Sequence, residues 1–197
     1  TTEGDGIRFG LSAIKNVGTN VIDSILKARG EINGFTSFED FLTKTHRVDA
    51  TAMNKKSVES LIMAGALDSL GLNRSQMLGS YDYMLKSIQK DAKNNAQGQM
   101  GLFGLGEDTS SNVQYKIPEA TELSKFMLLE GEKEMTGIYF SGHPLEEFTE
   151  ELRQSSDFSS IEMKEKVLDE TDADLRDNMF ISYAGMVSAV TKKVTKN

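Results

Sequence analysis

The sequence predicts a mainly α-helical protein, with a tandem helix–hairpin–helix domain first, a helical connector after it and a strand at the C-terminal end. Three observations predict it. Apolar residues recur at helical spacing through most of the chain to about residue 153. Two of the helical patterns turn on small-residue corners, Lys15-Asn16-Val17-Gly18 and Ala64-Gly65-Ala66-Leu67. Beyond Met179 the spacing changes to apolar–polar alternation with β-branched residues, through Phe180, Ser182, Tyr183, Val187, Val190 and Val194.

The first unit is IRFGLSAIKNVGTNVIDSILKAR, residues 7–29. Leu11 and Ile14 share a face before the corner, and Ile22, Ile25 and Leu26 share one after it, so two helices pack antiparallel with the corner exposed at one end. The first amides of the second helix are then unpaired donors at the positive end of a helix dipole, which makes a cradle for phosphate. A grip of this kind reads no side-chain code and suits sequence-independent binding of a nucleic-acid backbone. The candidate donors are the amides around Gly18, Thr19 and Asn20, with Asn16 in the turn and Lys15 adding charge. The same spacing also fits an ordinary αα-hairpin with a glycine corner.

Gly30 to Gly34 breaks the pattern, and Thr36-Ser37-Phe38-Glu39 signals the cap of a helix to about Lys44 with Phe38, Phe41 and Leu42 on its apolar face. A further helix is expected over Lys55 to Met63, burying Val58, Leu61 and Ile62 before the second corner. From about Asn73 to Lys90, Met77, Tyr81, Met84, Leu85 and Ile88 fall on one helical face, with the methionines as core filling. One helix–hairpin–helix is a weak signal. Two in tandem are a better one, because paired units share a core and can straddle a duplex. Residues 1–91 are therefore expected to be one domain.

Residues 92–118 differ in composition, being rich in Gly, Asn, Gln and Ser, and are expected to be a flexible linker. Inside it Gln99-Met100-Gly101-Leu102-Phe103 carries apolar side chains with no helical face to join. Exposed hydrophobics in a polar, disordered setting fit a docking peptide; a loop tucked against its own domain is the other reading. Residues 119–178 form an acidic helical connector: one helix from near Ala120 to about Phe140, then Ser141-Gly142-His143-Pro144, then a helix through Leu152 that Pro144 suits at its first turn. His143 has no carboxylate or nucleophile fixed beside it by spacing, so bonding to local backbone is favoured over catalysis. Asp157 to Asp177 is acidic and weakly patterned. Residues 179–197 hold the expected strand, which cannot stand alone as a sheet.

Composition excludes several classes. The 197 residues include no cysteine, which leaves out disulfides and thiolate metal sites, and two distant histidines make a zinc centre improbable. No apolar run is of membrane-spanning length and no signal peptide is visible, so a membrane is not an expected partner. A start without Met and a stop on a basic run read as a piece of a longer cytoplasmic protein. The net charge of −8 argues against nucleic acid until its distribution is considered. Residues 1–100 carry 12 Lys+Arg against 11 Asp+Glu, residues 101–178 carry 7 against 19, and residues 179–197 carry 3 and none. Any DNA contact thus belongs to the first part and the C-terminal end, and the acidic middle reads as a solvated face or a partner surface.

Four blocks, IRFGLSAIKNVG at 7–18, KKSVESLIMAGALDSLG at 55–71, EKEMTGIYFSGHPLEEF at 132–148 and ISYAGMVSAVTKKVTK at 181–196, carry a resemblance in the right order along nearly the whole chain. The sequence resembles the bacterial DNA polymerase III alpha subunit family (DnaE type), from the end of its fingers to the start of its oligonucleotide-binding (OB) domain. The resemblance implies a tandem helix–hairpin–helix domain that holds the primer–template duplex, and a final strand that begins a truncated OB-fold. Such folds bind single strands through basic grooves, so Lys192 and Lys193 join the DNA-binding candidates. In this family the linker carries a motif that docks on the β sliding clamp, which Gln99, Met100, Leu102 and Phe103 match; other replicase subunits are further implied partners. The family's paired aspartates, which hold two metal ions for phosphoryl transfer, lie upstream of Thr1. The resemblance therefore implies magnesium and nucleotidyl transfer for a whole polymerase, and neither catalytic nor metal residues, nor a cofactor, for this segment. Asn16 replaces the first glycine of the usual Gly-apolar-Gly hairpin, which Asn's tolerance of left-handed backbone allows. The second corner departs further, which points to packing. A non-enzymatic tandem helix–hairpin–helix module of a repair or recombination protein is the alternative, and an acidic helical scaffold without a DNA role is a third.

Overall fold

The computed structural model describes residues 2–3, 6–7, 9–30, 34–96, 115–168 and 176–193, and divides into two compact units, Thr1–Ser141 and Gly142–Asn197. The first unit opens on a two-residue ladder, β1 (Thr2–Glu3) against β2 (Gly6–Ile7), antiparallel with Thr2 opposite Ile7. Extended strand was expected only beyond Met179, so this ladder is a correction. After it come α1 (Thr19–Arg29), α2 (Phe38–Val48), α3 (Lys55–Met63), α4 (Arg74–Ala96) and α5 (Lys125–Thr136).

The helix expected before the first corner is only a 3₁₀ turn, Leu11–Ala13. Gly10 and Ile14 on either side are extended, at φ −81° ψ 141° and φ −81° ψ 127°, so no helical turn can propagate through them. The next amide, that of Lys15, bonds to the Met135 carbonyl (2.8 Å) rather than to its own turn.

Caps fix the helix starts. The Ser37 hydroxyl accepts from Asp40 N (3.1 Å) while the Asp40 carboxylate accepts from Thr36 N (2.9 Å), a reciprocal cap that starts α2. Asn54 caps α3 by accepting from Ser57 N (3.1 Å), and α3 has the bounds the pattern predicts. The apolar faces then meet: α1 packs on α2, α2 and α3 on α4, and α3 on α5. Phe38, Phe41, Leu42, Val58, Leu61, Ile62, Met77 and Met84 are almost fully buried between them. Gly131 lets α5 lie close on α3, since a Cβ there would come within 3.2 Å of the Met63 carbonyl oxygen.

Several sequence boundaries move. α4 continues to Ala96, so the first residues of the 92–118 linker are helical. Its last residues are packed: Tyr115 and Ile117 lie on the core, Tyr115 edge-on to Tyr83, and the Pro118 carbonyl accepts from Gln76 Nε2 (3.4 Å). α5 begins at Lys125, where Ser124 caps it, rather than near Ala120. The first compact unit thus extends to Ser141 and takes in α5, beyond the boundary at residue 91.

The second unit holds a 3₁₀ turn Glu146–Phe148, α6 (Thr149–Ser155) and α7 (Ser160–Leu168). α7 falls in the stretch that carries only a weak pattern, and its start is fixed by Ser159 and Glu162 bonding each other's amides. Over 179–193 no strand forms among the described residues. A strand needs a neighbouring ladder, and the backbone at Ser182 bonds instead to the side chain and the amide of one residue: Ser182 N donates to Asp157 Oδ2 (2.7 Å), and Asp157 N donates to Ser182 O (3.0 Å). Phe180 and Val190 are left 99% and 80% exposed.

Candidate nucleic-acid interface

At the first corner buried and exposed residues alternate. Ile14 and Val17 are buried as anchors, while Lys15, Asn16, Gly18, Thr19 and Asn20 are exposed around them. Asn16 takes left-handed backbone, φ 63°, the conformation the missing glycine would otherwise supply. Gly18 is extended at φ −80° and ψ 168°, so its backbone needs no glycine. A Cβ there would lie 2.9 Å from Asn20 Oδ1, the end of an exposed side chain that can swing aside. α1 starts at Thr19 with no side-chain cap and no acidic residue in its first turn. Its leading amides therefore meet solvent at the positive end of the helix dipole, beside the Lys15 ammonium-bearing chain.

The corner is tied from behind. Asn16 Nδ2 donates to Ser60 Oγ (3.0 Å), and Ser57 Oγ donates to the Asn16 carbonyl (2.9 Å). Together with the Lys15 N to Met135 O bond, these link the turn to α3 and α5. Sequence reasoning missed Ser57, Ser60 and Met135. Only the spacing of two serines three apart on α3, beside its apolar face, hinted that this side meets another polar element.

The second corner is built differently. Gly65 is left-handed at φ 75°, and the amides of Gly65 and Ala66 bond to Ile62 O (2.9 Å) and Leu61 O (3.0 Å). The space over Gly65 is filled by the guanidinium of Arg74, which is 5% exposed. That group donates to Asp68 through Nε (2.9 Å) and Nη2 (2.7 Å), to Glu132 Oε1 (3.0 Å) and to the Met63 carbonyl (3.1 Å). Glu132, 1% exposed, also accepts from the amides of Phe140 and Ser141 (both 3.0 Å) and from Ser141 Oγ (2.9 Å). Burial pushes the Glu132 carboxyl up, but these bonds outweigh it and hold its pKa below the usual value. Beside the corner a cavity of about 450 Å³ is rimmed by the edge-to-face pair Phe9 and Phe140 and floored by Arg74 and Glu132.

The N-terminus of α4 is occupied as well. The Glu122 carboxylate accepts from Arg74 N (3.0 Å) and Ser75 N (3.2 Å), and Asn73 and Gln76 bond each other's amides. Partial burial raises the Glu122 pKa, yet the amide bonds from Arg74, Leu123 and Ser75 win and lower it. A carboxylate thus sits where a phosphate oxygen would have to bind.

Lys192 and Lys193 are exposed in the second unit. Gln99, Met100, Leu102 and Phe103 lie outside the described residues. His143 Nδ1 accepts from the Leu145 amide (3.2 Å), a local turn bond. Among the described residues no group of three or more His, Asp or Glu is placed to hold a metal ion, and no helix is long and apolar enough to cross a membrane.

Comparison with known proteins agrees with this architecture. Residues 1–77 match the family model described as Helix-hairpin-helix motif. The chain is 37% identical to the DNA polymerase III subunit alpha of Saccharopolyspora erythraea over an alignment of 202 residues, covering 100% of the chain and 16% of that relative. It is 34% identical to that of Vibrio cholerae over 96% of the chain and 15% of the relative. With the Xylella fastidiosa protein it shares 35% identity over 78% of the chain and 13% of the relative. The chain therefore spans about one-sixth or less of the length of the curated relatives it matches.

Proposed function

Since the chain belongs to the DNA polymerase III alpha subunits as a segment matching about one-sixth of their length, we propose that it holds duplex DNA by its backbone during template-directed synthesis. The first corner carries the reading. Around the turn at Asn16, Lys15 presents a cation and Gly18, Thr19 and Asn20 present the uncapped start of α1 to solvent, with no acidic residue in the first turn. Lys192 and Lys193 would add contacts to a single strand. The helix–hairpin–helix match supports a DNA-binding role. The whole protein would be a DNA polymerase, with its magnesium ions held by carboxylates outside this segment.

We propose further that Gln99-Met100-Gly101-Leu102-Phe103 docks on the β sliding clamp, with Leu102 and Phe103 as apolar anchors and the Gln99 amide bonding at the pocket rim. Support here is the sequence motif alone. A tether of this kind works through effective concentration, since the corner and the clamp would sit on the same DNA.

Titration with primer–template duplexes of unrelated sequence, at low and moderate salt, tests the first reading. Affinity should be indifferent to sequence and fall steeply with salt. Binding that ignores salt, or none at low salt, would overturn it. For the second, a bacterial β clamp is titrated with the protein and with a Leu102→Ala, Phe103→Ala variant. The variant should lose most of the binding, and equal binding by the two would return the peptide to an ordinary linker.

A further inference from the structure

The phosphate-gripping corner holds its shape through groups that never face its ligand. Asn16 sits at φ 63°, a conformation that Asn tolerates better than other L-residues but that still costs it free energy against right-handed backbone. Two buried hydroxyls hold it. Ser60 Oγ takes the Asn16 side-chain amide (3.0 Å), and Ser57 Oγ gives its proton to the Asn16 carbonyl (2.9 Å). Ser57 and Ser60 are 1% and 2% exposed, so both hydroxyls are shielded from bulk water although Asn16 itself is exposed. Their helix cannot yield easily: α3 is fixed by the Asn54 cap on Ser57 N and by the burial of Val58, Leu61 and Ile62.

We propose that Ser57 and Ser60 are positioning residues for the DNA-holding corner, latching Asn16 in its left-handed state so that the α1 amides converge on one phosphate. The proposal rests on the first corner being the duplex-holding site. The chain of effects is short. Left-handed Asn16 turns Val17 into the core, where it is 7% exposed, and the extended Gly18 then starts α1 with Thr19 and Asn20 outward. If Asn16 relaxes to a right-handed conformation, Val17 and Gly18 must rotate, and the donors no longer point to a common place. The serines touch no ligand; they act through Asn16 alone.

The test is a cycle of variants in the full chain, read by duplex affinity with salt dependence and by the backbone chemical shifts of Asn16 and Thr19. Ser57→Ala combined with Ser60→Ala should weaken duplex binding about tenfold and flatten its salt dependence. Adding Asn16→Gly should restore most of the loss, because glycine adopts positive φ without a latch. Ser80→Ala is the control: Ser80 is equally buried but bonds only its own helix, at Gln76 O (2.7 Å), so binding should not change. If the double-serine variant folds poorly, the two single variants with the same shift measurement replace it. Wild-type affinity and unmoved Asn16 shifts in the serine variants would overturn the latch while leaving the DNA-holding reading intact. A loss that Asn16→Gly fails to rescue would also overturn it, marking the serines as general packing. Failure of the unaltered chain to bind duplex would instead sink the DNA-holding reading, and the latch with it.

Discussion

The two corners of the first unit share a left-handed residue, Asn16 at φ 63° and Gly65 at φ 75°, yet they end in opposite states. At the first, cation and helix-start amides face solvent. At the second, the chain has supplied its own ligands: the Arg74 guanidinium over Gly65, Asp68 and Glu132 around it, and Glu122 on the α4 amides. A helix–hairpin–helix corner is therefore only a geometry. Whether its donors stay open or are spent within the fold depends on what other segments bring to it: at the second corner Asp68 and Arg74 come from the neighbouring turn and α4, and residues 115–132 add Glu122 and Glu132.

The largest effect should come from breaking the buried pair at the second corner. Glu132→Ala leaves buried Arg74 with only Asp68 and the Met63 carbonyl as partners and strips the Phe140 and Ser141 amides of their acceptor. A loss of about 3–5 kcal/mol of folding stability is expected, read by urea unfolding. Duplex affinity of the remaining folded molecules should stay unchanged, since the donors of this corner are spent within the fold. A selective loss of DNA binding at full stability would break the comparison.

The same carboxylate gives a pH signature. Its folded pKa lies below the ordinary carboxylate value, so its contribution is fully present above about pH 4.5 and is lost as pH falls through the lower folded value. Thermal midpoints from about pH 6 down to about pH 3 should therefore fall more steeply in the unaltered protein than in Glu132→Gln. Parallel curves would show that Glu132 does not carry the acid sensitivity.

A matched pair of substitutions tests the asymmetry from the DNA side. Gly18→Val keeps a backbone that valine accepts and displaces only the Asn20 side-chain end, but its added side chain narrows the approach to the α1 amides. Duplex affinity should fall about tenfold, near 1.4 kcal/mol, with little change in stability. Ala66→Val, at an exposed position of the second corner, should leave affinity within about twofold. Equal losses from both would mean that the corners share the load.

What the sequence made legible is what is local. The α3 bounds follow from the spacing of Val58, Leu61 and Ile62 and the small-residue corner after them, and the candidates from Lys15 to Asn20 follow from a glycine turn leading into a helix start. Leu11 and Ile14 keep helical spacing, yet Leu11–Ala13 forms only a 3₁₀ turn, because Gly10 and Ile14 are extended on either side and the next amide bonds to Met135, far along the chain. Glu122 and Glu132 fall in the acidic middle, whose composition reads as a solvated face or a partner surface. Their partners Ser75 and Arg74 lie 47 and 58 residues away, a separation that no periodicity records. The final strand failed for the same reason: β alternation shows what a segment can pair with, and pairing also needs the partner strand.

The smallest effect should come from Glu122, and it bears most directly on why the second corner differs. Glu122→Ala removes two acceptors from the α4 amides and a negative charge from the positive end of that helix. Because the residue is exposed and Asn73 with Gln76 still caps the helix, the stability cost should be about 0.5–1 kcal/mol. Freed amides alone should not recruit a phosphate, because Asp68 remains exposed nearby and Arg74 remains spent on Asp68 and Glu132. Duplex affinity measured across a salt series should therefore match the unaltered protein within about twofold, with the same slope. A tighter complex whose salt slope steepens by about one phosphate would give the opposite answer. The α4 terminus would then be a second phosphate seat that the Glu122 carboxylate keeps filled, and the two corners would differ in occupancy rather than in kind.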